Sequence, residues 1–285
     1  MQSSAPLSLL AFLPLLAALV LRLSPGRGPW LDWRAWAGLS LILAIGFRIV
    51  EFQGLAVLLA PALILQLRAR QSSRVARGGL SALLILWCLA LALHRLPGIH
   101  NPLVLAGALS PRSAEYRLYW NLDKGFAALY LFELVQLRPA PGPDRRMLAL
   151  GLGALALAMA WASGLTGLEP KWTTAFLWWA PANLLLVALP EETLFRLLVQ
   201  DRLEARFQNR SWGLAMAITG ASLLFGLAHF PGGWCYVLSA TAAGLGYGCA
   251  YRYARKPWHP VLVHFGFNTL HFVVFVYPWS AAARL

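Results

Sequence analysis

Apolar runs separated by short polar or basic breaks recur along the whole chain. They fall at about 6–22, 35–50, 52–67, 79–96, 123–137, 147–164, 173–190, 213–229, 234–251 and 258–278. A helix needs ~20 residues to cross ~30 Å of hydrocarbon, so the shorter runs must borrow flanking residues. The pattern predicts an all-α, polytopic transmembrane helical bundle of about eight to ten spans. The first run, Pro6 to Leu23, has no basic residue before it and reads as a retained span rather than a cleaved leader.

The breaks set sidedness. Arg68, Arg70, Arg74 and Arg77 share one loop; Arg138, Arg145 and Arg146 a second; Arg196, Arg202, Arg206 and Arg210 a third; Arg252, Arg255 and Lys256 a fourth. With ten alternating spans all four fall on one side, which the positive-inside rule makes cytoplasmic, leaving both termini outward. His100 to Asp123 contains Pro102, Gly107, Pro111 and several charges, so it reads as a loop or partly re-entrant stretch. The proline-rich stretch Arg138 to Asp144 reads as a stiff connector. It divides residues 1–145, a variable set of N-terminal transmembrane helices, from a motif-bearing core at 146–285. No internal repeat is evident.

Composition agrees. Of 285 residues 59% are hydrophobic and 12% charged, against roughly 25% charged in soluble domains; mean hydropathy is +0.60. The net charge of +13 would suggest nucleic acid in a soluble protein. Here the basic residues sit between spans, where they meet anionic headgroups, and no basic stripe interleaved with aromatics indicates a nucleic-acid partner. Cys88, Cys235 and Cys249 lie in apolar stretches without CxxC spacing, against redox or zinc roles.

Ionisable groups at membrane depth are costly unless paired, hydrated or used. Three clusters in the back half stand out. In Pro190-Glu191-Glu192-Thr193-Leu194-Phe195-Arg196, Glu192 and Arg196 share a helical face and can pair, while Glu191 is rotated about 100° away. The pair of acids reads equally as a cap on an interfacial helix end. His229 is the only ionisable residue from Leu214 to Phe230. It is either a core histidine bonded to a carbonyl or a general base. His264 and Asn268 lie on one helical face, suited to an oxyanion or to knitting helices together.

Together these give EExxxR, FxxxH and HxxxN, in order, on three successive helical segments. The trio, over Pro181 to Thr269, resembles the CPBP family, the CAAX proteases and bacteriocin-processing enzymes also called Abi. The resemblance implies a metal-independent glutamic intramembrane endopeptidase with no cofactor. Glu191 and His229 would activate water, His264 and Asn268 would stabilise the oxyanion, and Glu192 would hold Arg196 as structural support. The substrate would be a membrane-anchored protein or peptide. CAAX-type relatives trim prenylated proteins, and bacterial ones are linked to peptide maturation, immunity or trimming of sorting segments. The Ala-, Leu- and Arg-rich composition points to a bacterial inner membrane. Two rivals are a non-catalytic scaffold or immunity protein of the same fold and a proton-coupled transporter; the latter often shows inverted repeats.

The other features read more plainly. A zinc site would need better ligands than Asn, and no HExxH is present. His259 and His271 read as packing or interfacial residues, and His94 and His100 flank a loop. Gly244 and Gly248 fit a small-xxx-small face, and Gly246 completes no nucleotide loop. Glu133 and Lys124 are candidates for a lateral gate or for structural pairing. Most Trp and Tyr residues flank spans. One conflict remains: simple alternation puts Glu191 and His264 near the cytoplasmic side and His229 at the far end of a helix of roughly 24 Å.

Overall fold

The computed structural model describes residues 2–3, 7–23, 32–136, 146–254 and 256–283. The connector from Arg138 to Asp144 lies outside the described residues, as do Arg145 and Arg255. A 3-10 turn, Leu7–Ala11, leads into α1 (Phe12–Leu23), which packs on α2 (Trp33–Gly46). The side chain of Asp32 caps the start of α2 by accepting from the Arg34 amide. α3 (Phe52–Ala69) and α4 (Arg74–Ala92) form a hairpin, with Ser73 capping α4 through the Ala76 amide. α5 (Leu122–Phe132) is buried on every face from Gly125 to Phe132 and touches α1, α3 and α4. This explains why its sequence carries no polar stripe.

The segment read as loop or re-entrant contains strands. β1 (Gln2–Ser3), β2 (Leu103–Ala108) and β3 (Glu115–Tyr119) form an antiparallel sheet in the order β1-β2-β3. Leu105 faces Leu118 and Ala108 faces Glu115, with an irregularity between Leu103 and Leu105. Pro102 precedes β2 and Pro111 occupies the turn, positions where a missing N–H breaks no ladder bond. The three motifs themselves lie on helices or at a helix end, as the all-α expectation has it.

The back half begins with α6 (Arg146–Ala162), which lies along the later helix Gly233–Ala254. The next helical run spans 175–207 without a break, but its winding changes. Ala175–Ala182 (α7) gives way to a π-helical stretch, Asn183–Ala188; Leu189–Glu192 (α8) to a second, Thr193–Gln200; and Asp201–Phe207 (α9) closes the run. Pro181 and Pro190 sit in or beside these transitions. Each lacks the N–H that a regular turn would use, and widened turns absorb the defect. The expectation that a span stops near residue 190, with Arg196 in a loop, is therefore corrected: Arg196 is inside the helix and fully buried.

α10 (Gly213–Leu227) is short. A 3-10 turn, Phe230–Gly232, and Gly233, with φ at +80°, swing the chain into α11 (Gly233–Ala254), and the two helices bend by 60°. Only glycine enters that backbone region without strain. α12 (Trp258–Val274) completes the bundle.

Two described helices, Phe52–Ala69 and Arg74–Ala92, are long and apolar enough to cross a membrane alone, and the bent α10–α11 pair makes a third if taken as one span. Other apolar helices, such as Trp33–Gly46, are shorter. The chain is an integral membrane protein whose helices differ widely in reach.

Candidate active site

Consecutive residues on a helix diverge by about 100°, and α8 uses this to send its two carboxylates to different places. Glu192 is completely buried. Its Oε2 accepts from Arg196 Nε at 3.1 Å, and its Oε1 lies 2.9 Å from His264 Nδ1. Arg196, also fully buried, donates from Nη1 to Ser222 Oγ at 3.3 Å and lies over the rings of Phe225 and Tyr247, at 5.4 and 6.0 Å. A buried ion pair holds only when its remaining valences are met; here an imidazole, a hydroxyl and two ring faces meet most of them.

Glu191 points elsewhere. Its side chain is 25% exposed, and its Oε2 lies 4.0 Å from His264 Nε2. That oxygen is shielded from solvent yet has no hydrogen-bond partner. It lines a cavity of about 180 Å³ together with His229, His264, Asn268 and Asn183. An unmatched buried carboxylate oxygen is among the least favourable arrangements a fold can retain, so its position beside a cavity is informative.

The conflict over His229 dissolves in the bend. α10 ends at Leu227, so His229 sits past its C-terminus and enters the same cavity as Glu191 and His264. The Phe225 carbonyl is an acceptor freed at the helix end. It lies 2.8 Å from His229 Nδ1, which assigns the proton there to Nδ1 and leaves Nε2 with its lone pair.

On α12, His264 and Asn268 are one turn apart. His264 is 4% exposed and stacks on Tyr247 with ring centroids 4.4 Å apart at 13°, while Phe225 meets it edge-on at 5.7 Å. Asn268 Nδ2 donates to Asn183 Oδ1 at 3.2 Å. α11 can approach this closely because Gly244 faces Arg196: a Cβ there would lie 3.1 Å from Nη2 and 3.2 Å from both Phe225 and Ser222.

All six residues singled out in the sequence thus converge. Glu191, His229, His264 and Asn268 line the cavity, with Glu192 and Arg196 bonded behind His264. Asn183 and Tyr247 were not singled out. Asn183 had a legible signal, as the lone amide in the apolar run 173–190; Tyr247 had none, since aromatic residues abound near span ends. His271 also lines the cavity, with Nε2 3.2 Å from the Val276 carbonyl. Glu133 forms an ion pair with Arg22 at 3.2 Å, which favours structural pairing over a gate. His94 bonds Asp123 and His100 bonds Glu51. No group of three or more His, Cys, Asp or Glu side chains among the described residues is placed to hold a metal ion.

Residues 172–270 match the family model described as Type II CAAX prenyl endopeptidase Rce1-like. The matched segment contains all three motifs. No curated protein and no solved structure matches the chain.

Proposed function

We propose that this membrane protein, whose residues 172–270 belong to the Rce1-like CAAX prenyl endopeptidase family, hydrolyses a peptide bond in a membrane-associated substrate with Glu191 as general base. The observation that carries the reading is the partnerless Oε2 of Glu191 beside a cavity shared with two histidines and an asparagine. A carboxylate without donors keeps its lone pairs for a water proton.

In this reading a water sits between Glu191 and His229. Glu191 takes its proton, the water oxygen bonds to the scissile carbonyl carbon, and the carbonyl oxygen becomes an oxyanion. Asn268 Nδ2 and His264 Nε2 donate to that oxyanion. Asn183 Oδ1 accepts one hydrogen of the Asn268 NH2 group, which leaves the other for the oxyanion. Since Nδ1 of His264 is engaged by Glu192, donation from Nε2 requires the doubly protonated ring. The Glu192 carboxylate at 2.9 Å balances its charge. Collapse of the intermediate breaks the C–N bond, and the proton held by Glu191 passes to the leaving amine. Each oxyanion donor contributes roughly 3–4 kcal/mol in such a site. Glu192 and Arg196 touch no reacting atom and act by positioning His264. A cavity of about 180 Å³ is too small for a folded domain, which suits a chain end or a tether beside the membrane.

The test uses purified full-length protein in lipid vesicles, incubated with membrane-anchored peptides with and without a prenyl group, and mass spectrometry of the products. Wild type should yield a discrete cleavage that Glu191→Gln abolishes. Equal product from both would end the assignment of Glu191.

A further inference from the structure

A second and larger pocket, of about 450 Å³, lies away from the cavity, beside the turn between α3 and α4. Four arginines line it: Arg68 near the end of α3, Arg74 and Arg77 in the first turn of α4, and Arg202 in α9. They come from two of the basic breaks that the positive-inside rule assigns to the cytoplasmic side. Ile85, Leu134 and Leu197 supply apolar wall. Asp201 is its one carboxylate among the described residues; it is 3% exposed and accepts from the Tyr251 hydroxyl at 3.3 Å. Four guanidiniums against one carboxylate leave a formal excess of three positive charges.

Two of the arginines are already aimed. Arg68 Nε donates to Ser81 Oγ at 2.8 Å, and Arg202 Nη2 reaches the Leu134 carbonyl at 3.5 Å. Arg74 and Arg77 are exposed at the N-terminus of a 19-residue helix, whose dipole adds to the positive field. None of the four forms an ion pair among the described residues. Four like charges gathered from three helices around one carboxylate repel one another, so the arrangement gains stability from an anion. Arginine forks match phosphate oxygens in particular.

The depth of the pocket says where the anion comes from. α3 and α4 are the two described helices that can cross a bilayer alone, so their shared turn emerges at headgroup level. An arginine rim over apolar wall matches a phosphate above its glycerol and acyl chains. We infer that this pocket binds the phosphate of an anionic phospholipid headgroup. The bound phosphate bridges the α3–α4 hairpin to α9, at the end of the helical run that carries Glu191. The site is independent of the proposed hydrolysis.

The experiment is native mass spectrometry of the full chain in neutral detergent, titrated with phosphatidylglycerol or phosphatidylcholine of matched acyl chains. Phosphatidylglycerol should be retained preferentially. Arg74→Gln with Arg77→Gln removes two surface charges and should weaken that retention roughly thirtyfold. Phosphatidylcholine retention should not change. Arg206→Gln with Arg210→Gln, exposed on the same side but outside the pocket, should leave retention within about twofold of wild type. Arg74→Gln alone, at an exposed position, gives a smaller loss in the same direction and serves if the double variant does not fold. Equal retention of the two lipids, or equal loss from the two pairs of substitutions, would overturn the site. Inorganic phosphate at millimolar concentration that binds as tightly as the lipid would overturn the lipid as its source. Glu191→Gln should retain lipid as wild type does, whatever becomes of cleavage.

Discussion

Asp123, in the first turn of α5, and Glu191, midway along the helical run 175–207, are both acids within apolar surroundings, and they differ in what meets their oxygens. Asp123, 3% exposed, has His94 Nδ1 at 2.6 Å from Oδ2, while its Oδ1 accepts from Asn101 Nδ2 at 3.0 Å and from the Lys124 amide at 2.9 Å. Asn101 in turn accepts from the Leu122 amide at 2.8 Å. This closed network ties the segment after α4 to the start of α5. Glu191, eight residues after the buried Asn183, keeps an oxygen with no partner beside a cavity. A saturated carboxylate fastens helices; an unsaturated one is held ready at the expense of stability. Glu192, one residue further on, belongs with Asp123 despite its place in the motif.

The sharpest way to break this comparison is to neutralise each acid. Glu191→Gln should lower the cleavage rate by about 10³-fold with the thermal midpoint unchanged or raised, because no bond is lost. A fall in midpoint with cleavage intact would reverse the roles assigned to the two acids.

Next comes Arg196→Met, which strands Glu192 at a fully buried position. Removing one partner of such a pair costs about 3–5 kcal/mol, read as a lower denaturation midpoint in detergent. Combining it with Glu192→Gln should recover much of that stability but not cleavage, since His264 loses its charged anchor. Full recovery of cleavage would show that His264 needs no carboxylate behind it.

Smaller again is Asp123→Ala. It leaves His94 and Asn101 without their acceptor and should cost about 1–3 kcal/mol. Cleavage per folded molecule should stay near wild type, measured against the fraction surviving thermal challenge. A loss of cleavage on the scale of Glu191→Gln would mean the two regions are not separable.

These contrasts mark what was legible along the chain. The membrane class follows from apolar runs with few charges, and the three motifs stand out because each puts a polar group at helical spacing inside such a run. Where helices end was far less legible. A helix surrounded by lipid and protein is apolar all round, so no polar face marks its limits. Hence the helix running through Arg196 to Phe207, and the early end of α10 that brings His229 to Glu191, were not foreseen. The β2–β3 pairing was hidden by Pro102 and Pro111, which advertise turns although they flank the strands. Tyr247 carried no signal because its role depends on the ring it stacks against, a residue on another helix.

The smallest effect lies outside the membrane-spanning segments and tests whether closed networks there serve the fold alone. Glu169, in the segment between α6 and α7, receives the Ser110 hydroxyl at 2.5 Å and Arg112 Nε at 3.4 Å, and Arg112 also donates to the Leu168 carbonyl. The Ser110 bond first, then Arg112, holds its carboxyl below the ordinary value of 4.5. A folded-state value below the unfolded one contributes stability that is fully present above the unfolded value and is lost as pH falls through the folded one. The denaturation midpoint should therefore be insensitive to this group near neutrality and decline as pH drops below about 4.5. Ser110→Ala should lower the midpoint slightly at neutral pH, by at most about 1 kcal/mol, and flatten the acid-side decline. Cleavage at neutral pH should stay as in wild type, because Glu169 lies outside the cavity that holds Glu191. A Ser110→Ala protein with an unaltered acid-side decline would show that some other carboxylate governs stability there.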